Sequence, residues 1–358
     1  MTYDDLLKIG PYDLKAGEKR KIYAELLSGL TDHHREHCAP YERACSLLGD
    51  KKGSLRSVEE LPMVPLSLLK KADLMSIPKE DIFKTMTSSG TTGQRPSKIY
   101  LDRKTAEWQQ RTLERIVSHL IGEKRLPMLI IDSPDVLRDR NLFSARGAGI
   151  LGFSIFGTKR RYALTKEMKL DLETVEAFLE ETKGGPVLVF GFTYMIWQFF
   201  YKELKRLGRK IPLEHGILIH GGGWKKLRNE AVSAEEFKDG LNDVCGISQV
   251  RNYYGMAEQT GCISMECSCG HLHVSSYSDI FVRNMEDFSC CEHGTEGVIQ
   301  VVTPMAASYP GHSILTEDKG IILGEDDCPC GKKGKYFKIT GRIAKAEVRG
   351  CSDTYESL

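Results

Sequence analysis

The sequence predicts an α/β fold with a β-rich subdomain attached, and three observations carry that expectation. Between residues 113 and 220, stretches with helical apolar spacing alternate with short apolar runs of strand length. Beyond residue 270 the chain turns to strand-like segments broken by turns. Its 358 residues, 41% hydrophobic and 28% charged, have the composition of a globular protein with ample core.

The elements follow in order. The first eighty residues read as mainly helical and end in a Pro-punctuated stretch, LPMVPLSLLKKADLMSIPKEDI. A loop rich in glycine and hydroxyls follows at residues 87–93. Leu113, Ile116, Val117, Leu120 and Ile121 share one helix face, and LPMLIID at 126–132 reads as a short buried strand. Leu172, Val175, Phe178 and Leu179 mark the next helix, and PVLVF at 186–190 the next strand. Residues 193–207 read as a helix closed by Gly208, and GILIH at 216–220 as a strand. Such alternation puts helices on the faces of a sheet. SYSDIFVRN, EGVIQVVT and KGIILG supply strands for the β-rich part.

Charge and composition exclude several roles. The net charge is +1 with no long basic run, so neither nucleic acid nor an anionic membrane surface is expected as a partner. The N-terminus, MTYDDLLKIG, has no basic-then-apolar leader, and apolar stretches such as Phe190 to Phe200 are too short or too polar to span a bilayer. A cytoplasmic protein with no membrane span is expected. Among the 11 cysteines, Cys38, Cys45 and Cys245 lie among apolar residues and read as small core fillers. The aromatic run from Phe190 to Trp197 reads as core or as the wall of a binding pocket, His33, His34 and His37 as solvated helix residues, and Lys159-Arg160-Arg161 as a solvated loop.

The chemistry concentrates in a few places. Thr87-Ser88-Ser89-Gly90-Thr91-Thr92-Gly93-Gln94-Arg95-Pro96-Ser97-Lys98 sets two glycines, which let backbone approach an anion, beside hydroxyls that donate to phosphate oxygens. It lacks the Gly-Lys-Ser/Thr of a Walker loop, and composition alone reads equally as a polar turn. Cys267-Ser268-Cys269-Gly270-His271-Leu272-His273 and Cys328-Pro329-Cys330-Gly331 together offer enough soft ligands for a tetrahedral Zn²⁺; a set of reduced buried thiols is the other reading.

The order of the motifs adds a resemblance. SSGTTGxxxxK resembles the phosphate-binding signature of the adenylate-forming superfamily, which includes acyl-CoA ligases and luciferase-like enzymes. Tyr254-Gly255-Met256-Ala257-Glu258 resembles its Tyr-Gly-x-Thr-Glu motif, and Thr316-Glu317-Asp318 sits where the family has Thr-Gly-Asp. Gly341-Arg342-Ile343 with Arg349-Gly350 resembles the Gly-Arg hinge that ends the large domain. The resemblance implies that Ser88, Ser89, Gly90, Thr91, Thr92 and Gly93 cradle the phosphates of ATP and that Glu258 holds Mg²⁺. It implies that Tyr254 and Gly255 lie near the adenine, that Gly221, Gly222 and Gly223 bring backbone close to it, that Asp318 takes the ribose hydroxyls and that Arg342 contacts the nucleotide. Ala257 stands where the family has Thr, so one phosphate or adenylate contact is missing.

The finer resemblance is to the acyl-protein synthetase family, the fatty-acid-activating component of bacterial luminescence reductases. His220-Gly221-Gly222-Gly223-Trp224-Lys225, the stretch from Tyr254 to Gly261, and Ala346-Glu347-Val348-Arg349-Gly350-Cys351 carry it, over roughly residues 80 to 353. Phenylacetate-CoA ligases are the next nearest relatives. The resemblance implies an adenylate-forming large-domain fold that activates a carboxylic acid, as in fatty acyl substrates, to acyl-AMP and passes the acyl group to a thiol. The chain stops eight residues after Gly350, so the mobile C-terminal domain of the superfamily is expected to be lacking. No residue matches that domain's catalytic lysine, and the sequence does not show Lys98 or Lys345 replacing it. Family members carry acyl transfer onto a cysteine near the C-terminus; Cys351 is the candidate here, with Arg349 lowering its pKa and Asp353 and Glu356 opposing.

The acceptor stays open between Cys351, CoA and a carrier protein, the alternative being an aryl or acyl ligase that takes an aromatic acid and passes the adenylate to CoA or a carrier protein; an acyl reductase or thioesterase is a further candidate partner. A nucleotide- or partner-binding module without activity is the remaining alternative, prompted by Ala257 and the missing lysine. Similarity to phenylacetate-CoA ligases implies the zinc ligands Cys267, His273, Cys328 and Cys330, with Cys269 as alternate for Cys267. Four protein ligands close the shell and make the metal structural. The expected division is a helical N-terminal segment (1–80), an α/β adenylation core (81–265), a β-rich subdomain with the Cys/His cluster (266–350) and a mobile tail (351–358).

Overall fold

The structure is a computed structural model describing residues 1–47, 53, 57–88, 96–137, 145–224 and 229–343. Contacts divide these residues into two compact units, Met1–Val117 with residues 255–343, and Ser118–Tyr254.

The first unit opens with α1 (Tyr3–Leu6), where Thr2 and Asp5 exchange side-chain-to-backbone hydrogen bonds as a capping box. Two helices follow, α2 (Ala16–His37) and α3 (Ala39–Leu47). His34 on α2 is fully buried, in contrast to the solvated position expected for it. Its Nδ1 lies 2.7 Å from Ser76 Oγ, its Nε2 2.9 Å from the Ala306 carbonyl, and its ring stacks on His312 at 4.9 Å. These partners are remote in sequence, and the polar spacing of α2 does not reveal them. His37 is exposed, as expected.

After β1 (Val64–Pro65) and α4 (Leu66–Lys71), strands β2 (Lys84–Thr87) and β3 (Lys98–Leu101) pair antiparallel, with Thr87 opposite Lys98. The pairing brings together the two ends of the glycine- and hydroxyl-rich loop. α5 (Arg103–Ile121) buries Thr105, Gln109, Thr112, Leu113, Ile116 and Val117 on one stripe, the spacing of an amphipathic helix.

The second unit alternates β4 (Leu126–Ile131), α6 (Ala145–Ser154), β5 (Gly157–Tyr162), α7 (Leu172–Thr182) and β6 (Val187–Phe192). α8 (Thr193–Met195) then runs through a π-helical stretch, Ile196–Tyr201, into α9 (Lys202–Leu207), which ends at left-handed Gly208. β7 (Gly216–Gly221), α10 (Ala234–Cys245) and β8 (Gln249–Tyr254) complete it. All five strands are parallel, in the order β5-β4-β6-β7-β8. β6 and β7 are buried along their whole length, which explains their unbroken apolar sequences. Val175, Phe178, Ile196, Phe200, Leu218 and Leu241 form one core beside the sheet. Lys159-Arg160-Arg161, read as a loop, is instead part of β5. That strand pairs with β4 alone within this unit, and its exposed cations suit an edge that must not recruit another strand.

The chain returns to the first unit with β9 (Ser264–Glu266), β10 (Leu272–His273), β11 (Asp279–Arg283), β12 (Gly297–Val302), β13 (Ser313–Glu325) and β14 (Lys335–Arg342). They pair antiparallel in the order β11-β12-β13-β14-β10-β9, and β1 joins β13 in parallel. β13 runs for 13 residues and so includes Thr316-Glu317-Asp318 as well as the expected KGIILG. β14 was not foreseen, since KYFKITGR shows no clean apolar alternation. Among the described residues no helix is long and apolar enough to cross a membrane.

Candidate active site and metal centre

Ser88 follows β2 and Ser97 precedes β3, so the hairpin register continues into a second facing pair. The Ser88 N–H donates to the Ser97 carbonyl at 3.1 Å, and the Ser97 N–H donates to Ser88 Oγ at 3.0 Å. Ser97 is fully buried; its hydroxyl donates to Glu258 Oε1 at 2.5 Å and lies 2.5 Å from Ser88 Oγ. Each hydroxyl has one hydrogen, so with Ser97 giving its own to Glu258, Ser88 supplies that of the Ser88–Ser97 contact. Two motifs 161 positions apart thus meet in one buried chain of hydrogen bonds.

Glu258 sits in the short 3₁₀ turn Ala257–Gln259. Its carbonyl accepts from the Tyr309 hydroxyl at 2.5 Å, and the Gln259 amide donates to the Val301 and Gly311 carbonyls at 3.2 and 2.8 Å. Gly261 then passes against α5 with φ +94°, and a Cβ there would lie 2.3 Å from the Gln109 carbonyl oxygen. The turn carrying Glu258 is therefore fixed by backbone contacts on both sides. Asp318 and Arg342 are cross-strand neighbours on β13 and β14, with Arg342 Nε 2.9 Å from Asp318 Oδ1. The Thr316 hydroxyl donates to the Ile299 carbonyl at 2.7 Å and accepts from the Asp318 N–H at 3.1 Å, holding β13 just before Asp318. Lys98 lies on β3, 3.8 Å from Asp73. Ser89, Gly90, Thr91, Thr92, Gly93, Lys345 and Cys351 lie outside the described residues.

In the second unit, His220, Gly221 and Tyr254 end strands β7 and β8, and Gly222 and Gly223 follow, exposed. A Cβ at Gly221 would stand 2.7 Å from the Tyr253 ring and 2.9 Å from its carbonyl oxygen, so glycine permits that close approach. Thr193 donates its single hydroxyl hydrogen to the Gly221 carbonyl at 3.1 Å. His220 Nδ1, 2.9 Å from Thr193 Oγ1, is therefore the protonated ring nitrogen that donates to this hydroxyl. Burial, with Lys238 adding to it, pushes the His220 pKa down to about 3, so the ring is neutral at ordinary pH.

Parallel sheets take ligands outside the carboxyl ends of their strands where strand order reverses, and in this unit that point lies between β4 and β6. Asp132 stands there just past β4, ion-paired with Arg146 of α6 at 2.9 Å, both buried. Burial pushes the Asp132 carboxyl up to about 6 against the pull of Arg146. Gly149 on α6 faces the Phe192 ring at 3.1 Å and the Tyr253 hydroxyl at 3.7 Å from its Cβ position. Sequence reading missed Asp132, Arg146 and Ser97. An aspartate directly after the apolar run LPMLII was a signal for the first; Arg146 and Ser97 are identified by their partners alone.

The cysteine cluster lies wholly in the first unit. Donor atoms of Cys267, His273, Cys328 and Cys330 all lie within 4.8 Å of one another, with the first three residues buried. Cys267 Sγ is 4.0 Å from Cys328 Sγ, and Cys330 Sγ is 3.4 Å from His273 Nε2. Ligands about 2.1–2.3 Å from a tetrahedral zinc would be about 3.7 Å apart, so the set fits this ion in type, number and spacing. His271 Nδ1 approaches Cys328 Sγ at 3.4 Å, whereas Cys269 is exposed and gives its backbone N–H to Cys267 Sγ at 3.3 Å. Burial opposes ionisation of Cys267, but hydrogen bonds from the His271 and Cys269 backbones and from neighbouring thiols hold its pKa below the usual thiol value. Burial and the adjoining sulfurs push Cys328 up to about 12.

A family model described as acyl-protein synthetase, LuxE, matches residues 2–357. A long-chain-fatty-acid--luciferin-component ligase of Vibrio harveyi is 22% identical over 98% of this chain and 91% of its own length. Its counterpart in Aliivibrio fischeri is 23% identical over 98% and 92%. Among solved structures, an open conformation of 2-hydroxyisobutyryl-CoA ligase with 2-HIB-AMP and CoA superposes with TM-score 0.71 at 16% identity, over 93% of this chain and 72% of that one. A long-chain-fatty-acid-CoA ligase from Archaeoglobus fulgidus gives 0.50 at 14% identity, over 74% and 52%. At such identities the likeness is one of fold, and the fold is that of the adenylate-forming ligases. Because the family model matches residues 2–357 of this chain, the chain belongs to the acyl-protein synthetases.

Proposed function

We propose that this acid–thiol ligase takes a long-chain fatty acid and that the acyl group ends on its own Cys351. The enzyme activates a carboxylic acid with ATP to an acyl-adenylate and transfers the acyl group to a thiol. The observation that most supports the residue assignment is the buried Ser88–Ser97–Glu258 chain, which ties the neck of the hydroxyl-rich loop to the carboxylate of the Tyr-Gly-x-x-Glu motif.

In this reading Ser89, Gly90, Thr91, Thr92 and Gly93 hold the phosphates of ATP through hydroxyls and backbone amides, while Ser88, expected among them, gives both its amide and its hydroxyl hydrogen to Ser97 and so holds the neck of that loop instead. A carboxylate oxygen of the acid attacks the α-phosphorus, the bond to the bridging oxygen of the β-phosphate breaks, and pyrophosphate leaves. Glu258 would hold Mg²⁺, a hard cation that prefers carboxylate oxygen and that supplies charge neutralisation on the phosphates. Asp318 would accept from the ribose hydroxyls and Arg342 would orient the nucleotide, which asks their mutual ion pair to share its oxygens with the sugar. Tyr254, Gly255, Gly221, Gly222 and Gly223 would border the adenine. The Cys351 thiolate, its proton lost to solvent, then attacks the acyl carbon and AMP leaves with the electrons of the broken C–O bond.

Cys267, His273, Cys328 and Cys330 would hold a structural Zn²⁺ that pins β10 to the loop between β13 and β14. Support comes from the Cys₃His donor set and its spacing.

The test of the activity is acid-dependent ATP–pyrophosphate exchange over fatty, aryl and amino acids; no exchange with any of them refutes adenylation. Incubation with ATP and labelled fatty acid tests the acceptor. Label on the protein should vanish in Cys351→Ala, and undiminished label there refutes Cys351. Product appearing as acyl-CoA when CoA is added would instead make CoA the acceptor.

A further inference from the structure

A hydroxyl removed from water is kept only where it is hydrogen-bonded. Ser97 has no exposed surface, and its hydroxyl spends both of its short contacts on functional neighbours, Ser88 on the loop neck and the Glu258 carboxylate. On one side, Ser97 is locked in hairpin register by its carbonyl, which accepts from the Ser88 N–H, and by its own N–H, which donates to Ser88 Oγ, one step inside the Thr87–Lys98 pair. On the other, the Glu258 backbone is fixed by Tyr309 and by the two bonds of Gln259. The backbones are thus anchored independently, and the orientation of the buried carboxylate is left to its side-chain torsions. Ser97 supplies the hydrogen bond that sets them.

We propose that Ser97 is a positioning residue, whose hydroxyl holds the Glu258 carboxylate and the neck of the phosphate loop in one register so that Mg²⁺ and ATP phosphates are bound by both together. The inference rests on the adenylation reading, and its test is chosen to fail separately from it. A purely structural role, stitching a hairpin, would lower stability without touching magnesium dependence.

The experiment uses the full chain and an equilibrium readout, the rise in Tm caused by ATP as Mg²⁺ is titrated, with ATP–pyrophosphate exchange alongside. Ser97→Ala should need about tenfold more Mg²⁺ for half-maximal stabilisation, the loss expected for a hydrogen bond to a charged group. In exchange, KM for Mg·ATP should rise by a similar factor with kcat falling less. Ser97→Thr, which keeps the hydroxyl, should lie within about threefold of the parent. Should Ser97→Ala not fold, Ser88→Ala removes the neck-side contact and should still shift the Mg²⁺ midpoint by about threefold. An unchanged midpoint in the folded variant, or Ser97→Thr as impaired as Ser97→Ala, overturns the proposal. If the midpoints shift as expected while no acid supports exchange, Ser97 stands and adenylation falls. A parent protein that Mg·ATP does not stabilise overturns both.

Discussion

Gly261→Ala probes the segment that fixes Glu258. Gly261 has φ +94° and its added Cβ would meet three backbone atoms of Gln109, the carbonyl oxygen at 2.3 Å and the carbonyl and α carbons at 3.0 Å. Left-handed backbone costs an L-residue about 1–2 kcal/mol. The clash adds about 1–3 kcal/mol, because the obstacle is the backbone of α5 and cannot rotate away. A sum of about 3 kcal/mol corresponds to a fall in Tm of about 6–12 °C for units of this size. Gly294→Ala separates the two contributions: Gly294 has φ +88° with nothing within 4 Å of the added Cβ. It should lose about 1–2 kcal/mol, the conformational part alone. Urea unfolding of both variants at one pH is the assay. Equal losses in the two, or a Gly261→Ala protein within about 1 kcal/mol of the parent, would falsify the close packing of Gly261 on α5.

Three further outcomes are expected. Burial pushes His312 down to about 3, and burial with His312 beside it lowers His34 well below the ordinary value. The unfolded chain then binds more protons than the folded one below about pH 6.5, so stability is complete above that pH. It should fall toward pH 4 by up to about 1.4 kcal/mol per unit for each ring; urea midpoints that stay flat from pH 6.5 to 4.5 would contradict this. Asp279 is buried between Lys335, at 3.3 Å, and Lys19, at 3.9 Å. Asp279→Asn leaves two ammonium groups facing a neutral amide and should lose about 3–5 kcal/mol, with part regained in Asp279→Asn/Lys335→Met; a loss under 1 kcal/mol would refute an ion-paired core there. Cys328→Ser should drop bound zinc from about one per chain to well below half and lower Tm, and the same Tm fall should follow chelation of the parent; a parent purified without zinc argues against the metal centre.

How much of this was legible in the chain differs by feature. β4, β6 and β7 were readable because strands buried on both faces need unbroken apolar runs, and α5 and α7 because one buried face leaves a helical stripe. β5 and β14 were not. KRR marks an edge, and KYFKITGR is sheet by virtue of its neighbours rather than its own pattern. His34 was misread for a related reason: its hydrogen-bond partners, Ser76 and Ala306, are far away in sequence.

By itself the sequence determined the α/β class, the family and the residue types that its chemistry requires, because local periodicity and ordered motifs are properties of the chain alone. Only the tertiary structure decided which of those residues meet. It joined Ser88 to Glu258 through Ser97, paired Asp318 with Arg342 across two strands, and gathered Cys267, His273, Cys328 and Cys330 within 4.8 Å. The physical reason is that hydrogen bonds, ion pairs and ligand sets depend on distances of a few ångströms between residues distant in sequence, and strand register and backbone packing alone set those distances.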